Sequence, residues 1–349
     1  MSRWTQLCSK SSLRVLFIHN GRERFVLDDL SLLRRSFDVT DWYQPTRHYN
    51  PARLLHLVRS HDLIFCWFAS WHALAPVYLA RRLGKPAIVI VGGYDTACVP
   101  QAGYGAQRGG LPRLVARFVI RQATHLVTNS YAARNEAIVN AGADGDKISV
   151  IYHGVEPFPM DPADPREPVA LTVGGVWRGN LLRKGLLPFV QAATFLPDVR
   201  FILAGRWFDD GIEVLRKASG SNVELRGFIS DEELVRLYGS ASVYVQASLH
   251  EGFGLSVAEA MSAGCIPVVT RAGSLPEVVG DTGIFVESND PQHIAQGIHH
   301  GLNSTGDQRD RARARVVNSF SMAERVRELT AVVTTAMKSD RCIAAPPRL

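Results

Sequence analysis

Two glutamates eight positions apart, Glu251 and Glu259, stand in the stretch with the most chemical content, Glu251–Gly264, EGFGLSVAEAMSAG. Gly252 and Gly254 open it, and a run of small residues follows. Glycines let backbone N–H groups approach a ligand closely, and a helix start favours anions. A helix this poor in polar side chains is expected to be buried. A carboxylate there needs partners, and the vicinal hydroxyls of a sugar can donate two hydrogen bonds to it. Taken alone, the residues favour an ordinary turn followed by a helix with a solvated Glu259. A second stretch, Val173–Gly185, VGGVWRGNLLRKG, supplies Arg178, Arg183 and Lys184. Read by themselves, these cations fit a solvated basic loop best.

The elements that position these residues follow from periodicity. In the first half, strands are expected at Leu13–Ile18, Asp62–Trp67, Ala87–Val91, His125–Asn129 and Ile148–Tyr152, with Val39–Thr40 in a sixth. Helical patterns lie between them at Arg24–Arg35, Pro51–Arg59, Leu111–Gln122 and Tyr131–Ala141. Such alternation argues for βαβ units and a parallel sheet. Residues 157–168 hold five prolines, Pro157, Pro159, Pro162, Pro165 and Pro168, and read as an extended linker. The alternation then restarts. Strands are expected at Val169–Val173, Val199–Ala204, Val223–Leu225, Ser242–Gln246, Cys265–Thr270 and Gly283–Val286. Helices are expected at Leu186–Phe195, Asp231–Tyr238, Gly254–Ala263, Pro291–His299 and Met322–Met337. The organisation is therefore an α/β domain over 1–156, a linker over 157–168, a second α/β domain over 169–320, a helix over 321–338 that packs back on the first domain, and a tail over 339–349. Ligands of doubly wound sheets bind at the carboxyl ends of the strands, so the chemistry belongs in the loops there.

The stretch 251–264 resembles the E-x7-E signature of the family-four retaining glycosyltransferases. Gly264–Val269 and Gly273–Val278 are similar to that family's AxGxPVV strand and GGxPE loop, and Val173–Gly185 to its VGR…KG loop. The resemblance is specific from about Thr172 to Glu287 and looser before that. It implies a GT-B fold, two Rossmann-like doubly wound domains facing a central cleft. It also implies transfer of a sugar from a nucleotide-diphosphate sugar to an acceptor hydroxyl with retention of configuration, in glycan, polysaccharide or glycolipid synthesis. On the donor side it implies that Glu251 contacts the transferred sugar and Glu259 the ribose hydroxyls. Gly252, Phe253, Gly254 and Leu255 would hold phosphates or sugar, and Arg178 and Lys184 the diphosphate. The family's usual GR dipeptide is Gly174–Gly175 here, so Arg183 is the alternative to Arg178. The loop of Phe228 and Ile229 would touch the base, although Phe228 also fits a core anchor. Ser230, with Glu233 three residues on, has the spacing of a helix cap.

The first half would take a carbohydrate or lipid-linked acceptor. His19 and Asn20 follow the first strand, and Gly93, Tyr94 and Asp95 follow Ala87–Val91. Asp95 is there either the acceptor-side base or a turn residue that caps its own loop. His153 sits where the family has an NGV turn and reads as turn geometry.

Composition narrows the rest. Residues 1–160 carry 19 Lys and Arg against 11 Asp and Glu, net +8, whereas residues 161–349 carry 20 against 22, net −2. The basic half points to an anionic partner, with a peripheral anionic membrane contact preferred and nucleic acid not expected. Arg113, Arg117 and Arg121 recur at helical spacing, as a solvated face or a lipid contact. The five cysteines, Cys8, Cys66, Cys98, Cys265 and Cys342, form no CxxC pair and suit a reducing cytoplasm. Leu63–Ala80 has no charged residue over 18 positions, but Ser70, His72 and Pro76 interrupt it, so strand, turn and helix are expected there instead of a membrane span. No GxGxxG, GxxxxGK[ST], GxSxG or DxD motif occurs, and neither cofactor nor metal is expected. Two other readings of the same ligand set are a nucleotide-sugar or glycan-binding protein without turnover and a nucleotide-sugar epimerase.

Overall fold

The computed structural model describes residues 11–158 and 166–343, with side chains to residue 338. The first half runs β1 (Arg14–His19), α1 (Arg24–Ser36), β2 (Asp38–Tyr43), α2 (Pro51–Ser60), β3 (Leu63–Trp67), α3 (Trp71–Arg82), β4 (Ala87–Val91), α4 (Gly110–Gln122), β5 (His125–Thr128), α5 (Tyr131–Val139) and β6 (Ile148–Val150). The second runs β7 (Glu167–Val173), α6 (Arg178–Arg183), α7 (Leu186–Ala192), β8 (Arg200–Ala204), α8 (Gly211–Ala218), β9 (Val223–Arg226), α9 (Asp231–Ser240), β10 (Ala241–Gln246), α10 (Leu255–Ser262), β11 (Ile266–Val269), α11 (Leu275–Val279), β12 (Ile284–Phe285), α12 (Pro291–Leu302), α13 (Gly306–Ser319) and α14 (Met322–Ile343).

Each half is a six-stranded sheet, ordered β2-β1-β3-β4-β5-β6 and β12-β11-β10-β7-β8-β9. Every strand pairing within them is parallel. The sequence shows why. All five residues of β3 and of β4 are buried, the continuous apolar run of a strand covered on both faces. Helix starts are set by side-chain caps. Ser230 accepts from Glu233 N at 3.2 Å, as its spacing predicts, and Ser130 accepts from Ala133 N at 3.0 Å. In each sheet the chain reverses direction once, between β1 and β3 and between β7 and β10, and these switch points place the crevice.

Several boundaries differ from the sequence reading. Pro168 lies inside β7 and not in the linker, because it falls at the break in the β10 pairing, where no ladder donor is needed. Residues 159–165, with three of the linker prolines, and residues 344–349 of the tail lie outside the described residues, as does Cys8. On the described flanks, Phe158 packs on the Tyr238 ring at 5.5 Å and Arg166 donates to Tyr238 O and Ala241 O. The last helix runs on to Ile343, past the expected end at Met337. Leu63–Ala80 is β3, a turn and most of α3, and no helix among the described residues is long and apolar enough to cross a membrane. The described cysteines Cys66, Cys98 and Cys265 are free thiols.

Helix α14 crosses to the first domain, where Leu329 and Val333 are buried with Val15, Phe17 and Phe65. Arg325 anchors it. Its guanidinium forms a forked pair with Asp29 at 2.6 and 2.7 Å and donates to the carbonyls of Ile151 and Tyr152. Arg325 is 3% exposed and Asp29 not at all. Removing one member of such a pair strands the other charge without water. Arg325→Met should therefore destabilise the protein by about 3–5 kcal/mol. Thermal unfolding should show a clear drop in Tm, and adding Asp29→Leu should recover much of it.

Candidate active site

The two switch points face one cavity of about 470 Å³. Loops after β1, β3, β4 and β5 form one wall and loops after β7 and β10 the other. On the second wall, Lys184 closes the loop after β7 and Glu251 lies in the loop after β10. Their side chains meet at 2.8 Å and are 19% and 11% exposed. Ser248 and the amide of Gln246 donate to the same Glu251 oxygen at 3.4 Å. Burial opposes ionisation of Glu251, but the charges of Lys184 and Arg183 outweigh it and hold the carboxyl below its ordinary range. Two glycines allow the approach. Gly185 has φ +69°, and a Cβ there would collide with the Ala247 carbonyl. A Cβ on Gly252 would collide with the Gly92 carbonyl of the facing domain.

Gly252–Leu255 lines the cavity and leads into α10. Gly254, at φ +91°, is the N-cap, and no side chain caps the helix start. Free N–H groups therefore lie on the same cavity as Lys184. Of the residues read from sequence as one phosphate-holding constellation, Lys184 and Gly252–Leu255 line one cavity here.

Arg178 is not among them. It begins α6 and points outward, with its guanidinium on Asp210 at 2.6 Å in an exposed ion pair. Five residues further, a helix has turned about 140°. Arg183 accordingly points inward, lining the cavity, with its guanidinium 4.4 Å over the Tyr104 ring and on Asn180 Oδ1. The cavity arginine is Arg183.

Glu259 lies further along α10, outside this cavity's lining and partly exposed. Burial pushes its carboxyl up to about 7, against the pull of Arg24 at the start of α1 and a hydrogen bond from Tyr238. The charges of Asp231 and Asp28 add to the rise. Glu259 thus lies within reach of charges on both α1 and α9. Phe228 is 74% exposed, so it is not a core anchor, and neither it nor Ile229 lines the cavity. Arg206 covers the Phe228 ring at 5.2 Å, and Ile229 packs on the core.

In the first wall, Asn20, Gly93, Tyr94 and Asp95 line the cavity, whereas His19 does not. His19 is the last residue of β1 and is buried, hydrogen-bonded to Asp41 at 2.8 Å. Asp95 is occupied. Its carboxylate accepts from Ala69 N at 3.0 Å and from Gly92 N and Gly93 N at 3.1 Å. Burial raises its pKa, and these backbone donors oppose the rise. These contacts fit the second of its two readings, a residue that caps its own loop. What it braces is strained: Phe68, a cavity residue before Ala69, has φ +68°, the one non-glycine with positive φ among the described residues.

Other wall residues carried no sequence signal as ligand groups, including Trp67, Phe68, Tyr104, Asn129, Trp177 and His250. His153 was read as turn geometry, but its ring stacks on Trp67 at 6.0 Å and lines the cavity. Burial keeps its pKa well below the usual value, so the ring is neutral. Among the described residues, no group of three or more His, Cys, Asp or Glu is placed to hold a metal ion. A larger cavity, about 600 Å³, opens at the amino ends of β4 and β5 beside α14, away from every motif residue.

The two halves of the chain match two family models. Residues 14–157 match the Glycosyltransferase Family 4 model and residues 167–304 the model for Glycosyl transferases group 1. The O-antigen chain mannosyltransferase B of Escherichia coli is 34% identical over 195 residues, 51% of this chain and 51% of that protein. The MMP alpha-(1->4)-mannosyltransferase of Mycolicibacterium hassiacum is 30% identical over 231 residues, 63% of this chain and 56% of that one. The chain thus spans about half the length of these curated relatives. Among solved structures, Anabaena HepE in complex with UDP and glucose superimposes with a TM-score of 0.73 at 17% identity, covering 93% of this chain and all of that one. Sucrose-phosphate synthase of Thermosynechococcus elongatus superimposes with a TM-score of 0.75 at 17% identity, covering 94% of this chain and 100% of that one. With the fold, the switch-point cavity and the 251–264 motif, these matches show that the chain belongs to family four of the GT-B glycosyltransferases, the glycosyl transferases of group 1.

Proposed function

We propose that the protein transfers a sugar from a nucleotide-diphosphate sugar to an acceptor hydroxyl, with retention of anomeric configuration, in the synthesis of a polysaccharide or glycolipid. The observation that carries this reading is the convergence of Lys184, Arg183 and the uncapped start of α10 on one cavity. Two cations and free N–H groups suit a leaving diphosphate, whose charge grows in the transition state. Glu251, held ionised against Lys184, accepts hydrogen bonds from the hydroxyls of the transferred sugar. Glu259 accepts from the ribose. Retention follows from same-face attack in a tight ion pair and needs no protein nucleophile. The mannosyltransferase relatives favour mannose as the transferred sugar.

The acceptor is lipid-linked in this reading. Of the arginine face expected on α4, Arg121 is exposed, whereas Arg113 and Arg117 are partly buried and Arg117 donates to Gln107 and Asn140. The outward stripe is Leu111, Leu114 and Phe118, and exposed Tyr78 of α3 touches Phe118 at 6.0 Å. Arg82 covers Tyr78 at 5.4 Å, and Arg121 ends the stripe. Apolar side chains rimmed by arginine suit the interface of an anionic bilayer.

Three outcomes are expected. The protein should release nucleoside diphosphate from GDP-mannose when supplied with a glycolipid acceptor, and Lys184→Ala should lower kcat by about 10²–10³-fold. Donor binding without any turnover would instead favour a binding protein. Next, hydroxyls that donate to Glu259 favour its ionised form, so GDP affinity should tighten as pH rises through about 7. Calorimetry should show that slope vanish in Glu259→Gln. Because the folded carboxyl binds its proton more tightly than the unfolded one, this group's contribution to stability should fall from its ordinary pKa of 4.5 up to about 7. Finally, sedimentation with phosphatidylglycerol vesicles should capture the wild type and leave Leu114→Glu/Phe118→Glu in solution. Equal capture of both would remove the membrane contact.

A further inference from the structure

His250 stands one residue before Glu251, and its imidazole, 4% exposed, forms part of the cavity wall. Its Nε2 lies 3.0 and 3.1 Å from the two carboxylate oxygens of Glu136, which comes from α5 in the facing domain. An ionised carboxylate only accepts, so Nε2 carries the proton, and in the neutral ring Nδ1 is a bare lone pair. That Nδ1 is shielded from solvent and has no hydrogen-bond partner among the described residues. In the facing wall, in the loop after β5, Asn129, 8% exposed, turns its amide nitrogen to His153 at 3.3 Å. Its Oδ1 is likewise without a partner.

Two buried acceptors left open, one in each wall of the same cavity, destabilise the empty protein, and a ligand that donates to both relieves them. Phosphate oxygens bring no donor at neutral pH, whereas sugar hydroxyls do. The phosphate-binding character of the cavity already has its own elements in Lys184, Arg183 and the α10 start. We infer that His250 reads a hydroxyl of the transferred sugar through Nδ1, that Asn129 offers a second acceptor, and that Glu136 fixes the imidazole tautomer from across the domain boundary. The inference rests on the donor-sugar reading above and adds specificity-determining residues to it. It also makes the hydroxyl reader a product of domain contact, because ring and carboxylate belong to different domains.

Calorimetric binding of GDP-mannose and GDP, and of UDP-glucose and UDP, separates sugar from diphosphate. With the pair that the wild type binds, His250→Phe should weaken the sugar nucleotide by about tenfold and leave the free diphosphate unchanged. His250→Asn, whose amide oxygen reaches the Nδ1 position, should restore most of the loss. Equal weakening of both ligands, or of neither, would overturn the inference. Wild type that binds neither pair would sink the donor reading itself, and this inference with it. Should His250→Phe not fold, long-range proton–nitrogen NMR of the wild-type imidazole decides. The His250 Nδ1 resonance should move on adding the sugar nucleotide but not the diphosphate alone, and a resonance that responds alike to both would overturn it.

Discussion

The 2.8 Å contact between Lys184 and Glu251 is the constraint on which the rest of the site depends. These residues are 67 positions apart, yet their loops leave neighbouring strands, because the chain reverses direction between β7 and β10. A parallel sheet with that order delivers both loops to one end. The pair is only partly shielded, so Lys184 keeps donors to offer while Glu251 stays ionised. Neither side chain could sit there without the other. An unpaired ammonium or carboxylate at this depth would be driven towards its neutral form.

The facing wall is held by contacts that cross the cleft. Ser130 caps α5 and also donates to the Gly252 carbonyl at 2.8 Å. Glu277 accepts from the first N–H groups of α5 and from Tyr152 at 2.6 Å. On the far side, Arg325 ties α14 to Asp29. The domains are thereby fastened on both flanks of the cavity, and the tight approach of Gly252 to Gly92 sets its floor. Asp95 contributes by bracing the Phe68 turn, so the first wall is shaped by a carboxylate that is itself fully occupied.

Much of this was legible in the chain. The apolar runs of β3 and β4 announce a covered parallel sheet, and the glycine-led motif at 251–264 announces the helix start. What failed did so for physical reasons. Helices α6 and α11, of 6 and 5 residues, are too short to show a period, and missing α6 is what put Arg178 in place of Arg183. A carboxylate in a sequence does not reveal three backbone donors, so Asp95 read as a base as readily as a brace. His250 and Glu136 are separated by 114 residues, and only the meeting of two domains makes them a pair. The α4 arginines kept helical spacing, but spacing does not say which stripe the neighbouring α3 covers.

A crystal structure of the chain with GDP or UDP bound tests the account most directly. The β-phosphate should lie within hydrogen-bond distance of Lys184 Nζ and the N–H groups at the start of α10, with the ribose running along α10 towards Glu259. A diphosphate bound instead in the basic cavity beside Lys85 and Lys147, with the Lys184–Glu251 cavity left empty, would contradict it.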